Sequence, residues 1–363
     1  MKISPHYHQT MQQNISKSFS LKTFFPQWNP TNHIIKLLSL GFGVILLSWL
    51  ISQLEWSATL EILRNVPVSL LLAGFMIYGL SFYLRALRLQ LLLPAGMNTN
   101  HLFPIVLIHY MALNLIPARL GELSYVYLLK RINGVPTGYS ISNLLIARIF
   151  DQFAIAFLFL VSVAVVDLPT QWLRLVSLSV GIFFIVTLVL LIVILAYKER
   201  VLHWIQQIVR KLKWHEHPLI YKVMREIEGM VAAFREIQVK AQALRIFGLS
   251  VLIWIGIFSL NYVLLVAFHV SLSYIEVILT STFIILIGLL PLRVFSMIGV
   301  HETTWVFIAL ALGISRNVAI TAAIGTHILL TFYLFVFGGY GLWRLQRLER
   351  KKVHDTTIRN KSG

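Results

Sequence analysis

The sequence of 363 residues contains no cysteine, and only 14 of its residues are acidic. Without cysteine, the chain cannot form disulfides, use a thiolate nucleophile or bind a metal through thiolates. Charged residues of both signs make up 12% of the chain, about half of what a soluble globular protein carries. This shortage of charge argues against a water-exposed globular surface.

Hydrophobic residues take the place of charge, at 58% of the chain with a mean hydropathy of +0.78. A helix needs about 20 mostly apolar residues to cross the hydrocarbon core, and runs of that length recur throughout. We therefore predict an all-α polytopic membrane protein with six to eight transmembrane helices. The candidate spans are 35–54, 69–93, 140–166, 172–196, 247–270 and 317–343.

The 31 lysine and arginine residues would suggest nucleic acid in a soluble protein, but here they cluster in loops and tails. In a membrane protein such clusters mark the cytoplasmic side and contact anionic lipid headgroups, so no nucleic-acid partner is predicted. Residues 1–34 are expected to form a polar cytoplasmic tail, 198–246 a basic cytoplasmic segment and 344–363 a basic cytoplasmic tail. They flank a single transmembrane domain, 35–343, in a plasma (inner) membrane.

Two apolar regions, 101–131 and 275–314, are interrupted by helix breakers. Pro117 and Pro291 each remove a backbone donor and end a helix, and new helices can start after Gly121 and Gly299. A turn at membrane depth is tolerated only where protein or a water-filled cavity surrounds it. We therefore expect two re-entrant or broken helix hairpins, although 275–314 could instead form two spans.

The two broken regions resemble each other, since LIPAR at 115–119 matches LLPLR at 289–293. The same comparison places Glu122 opposite Glu302 and Arg148 opposite His327. On charge, the first hairpin enters from the cytoplasm, between Arg85/Arg88 and Lys130/Arg131, and the second from the outer face. The sequence thus predicts an inverted repeat with halves at about 69–166 and 247–343, the architecture of alternating-access transporters.

Charges at the hairpins suggest a binding site. Arg119 and Arg293 could offer guanidinium groups to a lipid phosphate, with Glu122 and Glu302 as their acidic partners. The alternatives are that Arg119 reaches the headgroups as a surface residue and that the two acids only complement helix N-termini.

Further polar groups lie inside the predicted spans. Arg148 and Asp151 are three residues apart, so they share a helix face and could form a structural or gating pair. His327 could titrate near neutral pH, although a buried, hydrogen-bonded histidine is the more common case. His301 and Glu302 are adjacent and would point apart on a helix, so no metal site and no cofactor are predicted.

Several of these residues together resemble the transmembrane region of lysylphosphatidylglycerol synthases, a flippase-like family, over about 35–345. The resemblance rests on Asn114, Pro117, Arg119, Gly121, Glu122, Leu128 and Leu129, on Arg148 and Asp151, and on Pro291 and GVHE at 299–302. It implies movement of an anionic or modified phospholipid, or of a lipid-linked intermediate, between leaflets, and adds Asn114 to the candidate substrate-binding residues. Because the sequence stops at Gly363, the soluble aminoacyl-transferring domain of such synthases is expected to be absent.

Two other classes of function stay open from the sequence. One is a membrane-embedded transferase, and the other is a non-catalytic partner of a separate synthase or glycosyltransferase. The sequence does not indicate an oligomeric state.

The charge distribution predicts that the N-terminus, 198–246 and the C-terminus share the cytoplasm. A reporter fused after Gly363 should therefore be active on the cytoplasmic side in a topology assay. A signal from the opposite side would contradict the inverted-repeat assignment, because the two halves were oriented by these charges.

Overall fold

A computed structural model describes residues 48–93, 97–116, 121–166, 171–197, 239–287 and 299–361, together with positions 45, 200, 203, 204, 206, 207 and 211. Regular secondary structure over these ranges is helical, as the apolar composition predicts. We number the principal helices α1 Trp56–Arg64, α2 Val68–Leu92, α3 Thr99–Leu115, α4 Glu122–Asn133, α5 Thr137–Val165, α6 Gln171–Ala196, α7 Val239–Ala267, α8 Tyr274–Ile287, α9 Val300–Ala311 and α10 Arg316–Lys361.

Five of these helices, α2, α5, α6, α7 and α10, are long and apolar enough to cross a membrane. They coincide with five of the six spans predicted from the sequence. The remaining candidate, 35–54, falls mostly outside the described residues. The polytopic all-α membrane fold is therefore confirmed.

The first interrupted region is a pair of short helices. α3 has 17 residues and α4 has 12, which correspond to about 26 Å and 18 Å of helix, both short of a roughly 30 Å core. Gly121 comes directly before α4, and Glu122 occupies its first turn, as predicted. A Cβ at Gly121 would lie 2.4 Å from the carbonyl oxygen of Ala112, so glycine is required for the start of α4 to lie against α3.

The second interrupted region has the same design, with 14 residues in α8 and 12 in α9. Gly299 has a φ of 85°, a left-handed conformation that glycine adopts without steric cost. Its N–H donates to Glu302 Oε2 at 2.8 Å, so the acid in the first turn of α9 satisfies a free donor at the helix start. Pro117 and Pro291, the predicted helix breakers, lie outside the described residues.

The ends of the short helices also correspond. α4 is followed by Gly134 with a φ of 68°, and α9 by Gly313 with a φ of 83°. In both, the N–H of the residue after the glycine donates back to a carbonyl of the helix, from Val135 to Leu129 and from Ile314 to Ala309. The Ile314 bond spans five residues, as in a Schellman motif, and the Val135 bond spans six.

Contacts between helices follow a two-fold pattern. α2 packs along α7, α3 packs against α10, and α8 packs against α5. The pattern of packed pairs is unchanged when α2, α3, α4 and α5 are exchanged for α7, α8, α9 and α10. Such a symmetric pattern of contacts is expected for two structural repeats. The inverted orientation of the two halves in the membrane stays a prediction.

The central α2–α7 contact uses small residues. A Cβ at Gly256 on α7 would lie 2.7 Å from Ser81 Oγ on α2, and a Cβ at Gly74 on α2 would lie 3.2 Å from Leu264 Cδ2 on α7. Small side chains allow two membrane helices to approach closely and gain packing energy.

Apolar side chains also cover much of the outer surface. On α6, Ile182, Phe183 and Val186 are exposed, as is Met76 on α2. Exposed apolar surface on this scale is stable only against lipid or another apolar partner. The protein is accordingly a multi-pass membrane protein.

The close contact at Gly121 gives a stability prediction. Gly121→Ala should destabilise the protein by about 1–3 kcal/mol, the usual cost of forcing atoms into a packed site, and should lower its thermal unfolding temperature in detergent. Gly248→Ala is the matched control, because a Cβ there meets no atom within 4 Å and Gly248 lies within a helix. Equal unfolding temperatures for both variants and the wild type would contradict this account of the hairpin.

Candidate functional site

Two arginines, Arg85 and Arg88, lie in the last two turns of the apolar helix α2. They are 8% and 4% exposed, so both guanidinium groups are buried among helices instead of lying in a loop. Sequence reasoning treated them only as markers of the cytoplasmic side and missed their place in a site. The signal that could have found them is a pair of charges within an uninterrupted apolar run.

Arg88 forms a buried ion pair that joins three helices. Its Nη1 and Nη2 donate to the two carboxylate oxygens of Asp151 on α5 at 2.5 Å and 3.2 Å. On α7, Ser250 Oγ accepts from Arg88 at 2.7 Å, and Trp254 Nε1 donates to Asp151 at 3.0 Å. This bidentate geometry is among the strongest hydrogen-bonding arrangements in proteins, and it neutralises both charges.

Asp151 is thus held by Arg88 and not by Arg148, the partner that the three-residue spacing favoured. Arg148 Nη2 instead lies 3.5 Å from Glu122 Oε1 on α4, and both side chains are about one-third exposed. The spacing argument failed because it considered one helix alone, whereas neighbouring helices supply the nearer partner for each group.

Arg85 has no carboxylate within ion-pair distance among the residues that the structure describes. One of its terminal nitrogens donates to the Tyr110 hydroxyl, and its guanidinium carbon lies 4.4 Å from the centre of the same ring. Its Nε is buried and has no hydrogen-bond partner in the described structure. A buried cation with an unused donor is costly unless a ligand supplies the partner.

These groups line a small cleft that is partly open to its surroundings. Helices α2, α3, α4 and α5 all contribute to its wall. The polar lining residues are Arg85, Arg88, His109, Tyr110, Tyr125, Arg148 and Asp151. Among the described residues, three guanidinium groups line the cleft, and the acids are Asp151 and the Arg148 partner Glu122, so one positive charge remains in excess.

His109 connects this cleft to the first hairpin. Its Nδ1 lies 3.1 Å from Ser124 Oγ, and the Ser124 hydroxyl donates to the Gly121 carbonyl at 2.5 Å. Because the only hydroxyl hydrogen is used on Gly121, the His109 Nδ1 must be the donor to Ser124. The wall of the cleft is thereby fixed to the start of α4.

The second half has a counterpart of the Glu122–Arg148 pair. Glu302 on α9 contacts His327 Nδ1 on α10, and these are the two residues that the sequence comparison placed opposite Glu122 and Arg148. Both acids lie in the first turn of their short helix, and each pairs with the long helix that follows.

Comparison with known families decides the relationship. A family described as the lysylphosphatidylglycerol synthase TM region matches residues 36–339 of the chain. The chain belongs to this family. Membership relates the protein to lipid modification or transport in a membrane, and confirms the resemblance recognised from the sequence. No curated protein and no solved structure gives a significant match.

Other residues predicted for the site are placed as follows. Arg119 and Arg293 lie outside the described residues, so their binding role stays a prediction. Asn114 is exposed near the end of α3, where its amide donates to the Tyr110 carbonyl at 2.9 Å. Tyr110 is also the residue whose hydroxyl and ring contact Arg85.

The buried Arg88–Asp151 pair predicts strong energetic coupling. Asp151→Ala should destabilise the protein by about 3–5 kcal/mol, because it leaves a buried guanidinium without its counter-ion. Combining it with Arg88→Met should recover part of that loss, since the unpaired charge is then gone. Unfolding of the single and double variants in detergent measures the coupling, and additive effects would contradict the structural importance of the pair.

Proposed function

We propose that the protein moves an anionic or modified phospholipid, or a lipid-linked intermediate, between leaflets, and that the lipid phosphate binds in the cleft beside Arg85. The observation that carries this proposal is a buried arginine whose Nε has no hydrogen-bond partner among the described residues, in a cleft where these residues leave an excess of positive charge. A phosphate would supply the missing negative charge and acceptor oxygens.

The lining of the cleft suits a phosphodiester. Arginine presents a planar set of donors that matches phosphate oxygens, and the hydroxyls of Tyr110 and Tyr125 can add neutral hydrogen bonds. Asp151 is the one carboxylate among the described lining residues, and it already accepts from Arg88 and Trp254, so this part of the lining has few features of a transferase site. Binding and release of a charged headgroup are therefore favoured over acid–base chemistry there.

The architecture supports translocation as the outcome of binding. Broken helices in paired repeats surround substrate sites in transporters that alternate access between the two sides. In this proposal Arg119 and Arg293 would offer further guanidinium groups to the lipid phosphate. The protein would reside in a plasma (inner) membrane, with both termini in the cytoplasm, and could supply or accept lipid for a separate synthase or glycosyltransferase.

The proposal predicts that Arg85 carries much of the transport activity. In vesicles containing a headgroup-labelled phosphatidylglycerol, Arg85→Gln should slow translocation on the order of tenfold or more, since a charge-assisted hydrogen bond contributes roughly 1.5–3 kcal/mol. Arg85→Lys should retain more activity, because it keeps the charge and loses only the planar donor set.

Arg64→Gln is the matched control, because Arg64 is an exposed arginine at the end of α1. It should transport lipid at the wild-type rate. The same assay on Arg119→Gln and Arg293→Gln tests the role assigned to the hairpin arginines. Unchanged translocation in a folded Arg85→Gln protein would exclude the cleft as the substrate site, and absence of translocation by the wild type would favour a transferase or partner role.

A further inference from the structure

Three potential metal ligands meet in the second half, away from the residues that line the cleft. His301 and Glu302 lie in the first turn of α9, and His327 lies on α10. One ligand atom from each residue lies within 4.8 Å of the other two. Adjacent residues on a single helix point apart, which is why the sequence disfavoured a metal here, but His327 reaches both from the neighbouring helix.

Charge balance distinguishes this cluster from its counterpart. In the first half, Glu122 faces Arg148, which carries a permanent positive charge, whereas Glu302 faces His327, which does not. Glu302 is also only 3% exposed, while the Glu122 side chain is one-third exposed. A buried carboxylate is stable only with a compensating positive charge or full hydrogen bonding, so a cation bound beside Glu302 would stabilise its carboxylate more than one beside the exposed Glu122.

The imidazole of His301 also has a ring nitrogen that could bind a cation. Its Nδ1 is buried and has no hydrogen-bond partner in the described part of the chain. Its ring centre lies 5.4 Å from that of His327, and both residues place a ligand atom close to the Glu302 carboxylate. A buried imidazole next to a carboxylate and a second imidazole is suited to bind a metal ion.

We propose that His301, Glu302 and His327 bind one divalent transition-metal ion of the zinc class. Two imidazoles and one carboxylate are a ligand set that zinc uses when a fourth position stays open to water or substrate. Glu302 Oε1 contacts His327 Nδ1 directly, and the bound ion would replace the proton shared between these two atoms. Glu302 Oε2 accepts from the Gly299 N–H, a contact that orients the carboxylate as outer-shell hydrogen bonds do in metal sites. The His327 side chain is 28% exposed, which leaves an entry path for the ion.

The ion would neutralise Glu302 and connect the start of α9 to α10, as the Glu122–Arg148 pair connects α4 to α5. The two halves would thus achieve the same helix contact, one with a fixed guanidinium and the other with an exchangeable cation. This inference concerns the second half only and does not require lipid to bind in the cleft.

The test uses the full chain purified in detergent, stripped with a chelator and dialysed against buffered Zn²⁺. Wild-type protein should hold about one more zinc ion per chain than Glu302→Gln or His327→Gln, as measured by elemental analysis. Co²⁺ added to the stripped wild type should give a visible absorption spectrum of low-symmetry coordination that both variants lose. His101→Ala is the matched control, because His101 is an exposed histidine near the start of α3, and it should keep the ion.

His327→Arg separates loss of metal from loss of folding. It copies the fixed cation of the first half, so it should keep a monodisperse, folded protein while losing the zinc ion and the cobalt spectrum. Zinc content equal to wild type in folded His327→Arg and Glu302→Gln, or no stoichiometric zinc in the wild type, would overturn the proposal. A loss of zinc in His101→Ala equal to that in His327→Gln would also overturn it, because the ion would then bind at surface histidines.

Discussion

The bidentate ion pair between Arg88 and Asp151 is buried in the interior of the bundle. The packing of the surrounding helices depends on both partners being present. In a low-dielectric interior each charge alone would be costly, and the pair is tolerated because both carboxylate oxygens receive donors and the guanidinium also donates to Ser250. Since these residues lie on α2, α5 and α7, the charge requirement fixes the relative positions of both halves. Arg85, one turn away on α2, is then left without a carboxylate partner among the residues that the structure describes.

The two halves solve the same structural problem with different chemistry. Each presents an acid in the first turn of a short helix to the long helix that follows, and each short helix ends at a glycine with positive φ. The first half closes this contact with arginine and the second with histidine. The halves thus share the position of the acid and differ in the side chain that pairs with it.

Pairing of helices across the halves also explains why the short helices are stable. Helices of 12 residues are marginal alone, and here their apolar faces are buried against long helices that belong to both halves. The core residues Tyr125, Leu128 and Leu129 of α4 pack together with α2, α3 and Leu334 of α10. A hairpin in this fold is therefore supported by the whole bundle and not by its own turn.

Much of this architecture could be predicted from the sequence, because the determinants are local or compositional. Long apolar runs can satisfy their backbone in lipid only as helices, so five spans were predicted close to their observed bounds. Glycine and an acid in the next turn similarly predicted the starts of α4 and α9. The partners of charged groups could not be predicted in this way. Spacing joined Arg148 to Asp151, whereas the structure joins Arg148 to Glu122 and Asp151 to Arg88.

The sequence by itself thus determined the membrane class, the helix breaks and the family, while the tertiary structure decided which charges meet. The cleft at Arg85 and the cluster around Glu302 each combine residues from different helices, distant in the chain. In a bundle, the distance between side chains on different helices depends on helix rotation and crossing, and these depend on packing such as the contact of Gly256 with Ser81. No local pattern in the sequence encodes that geometry.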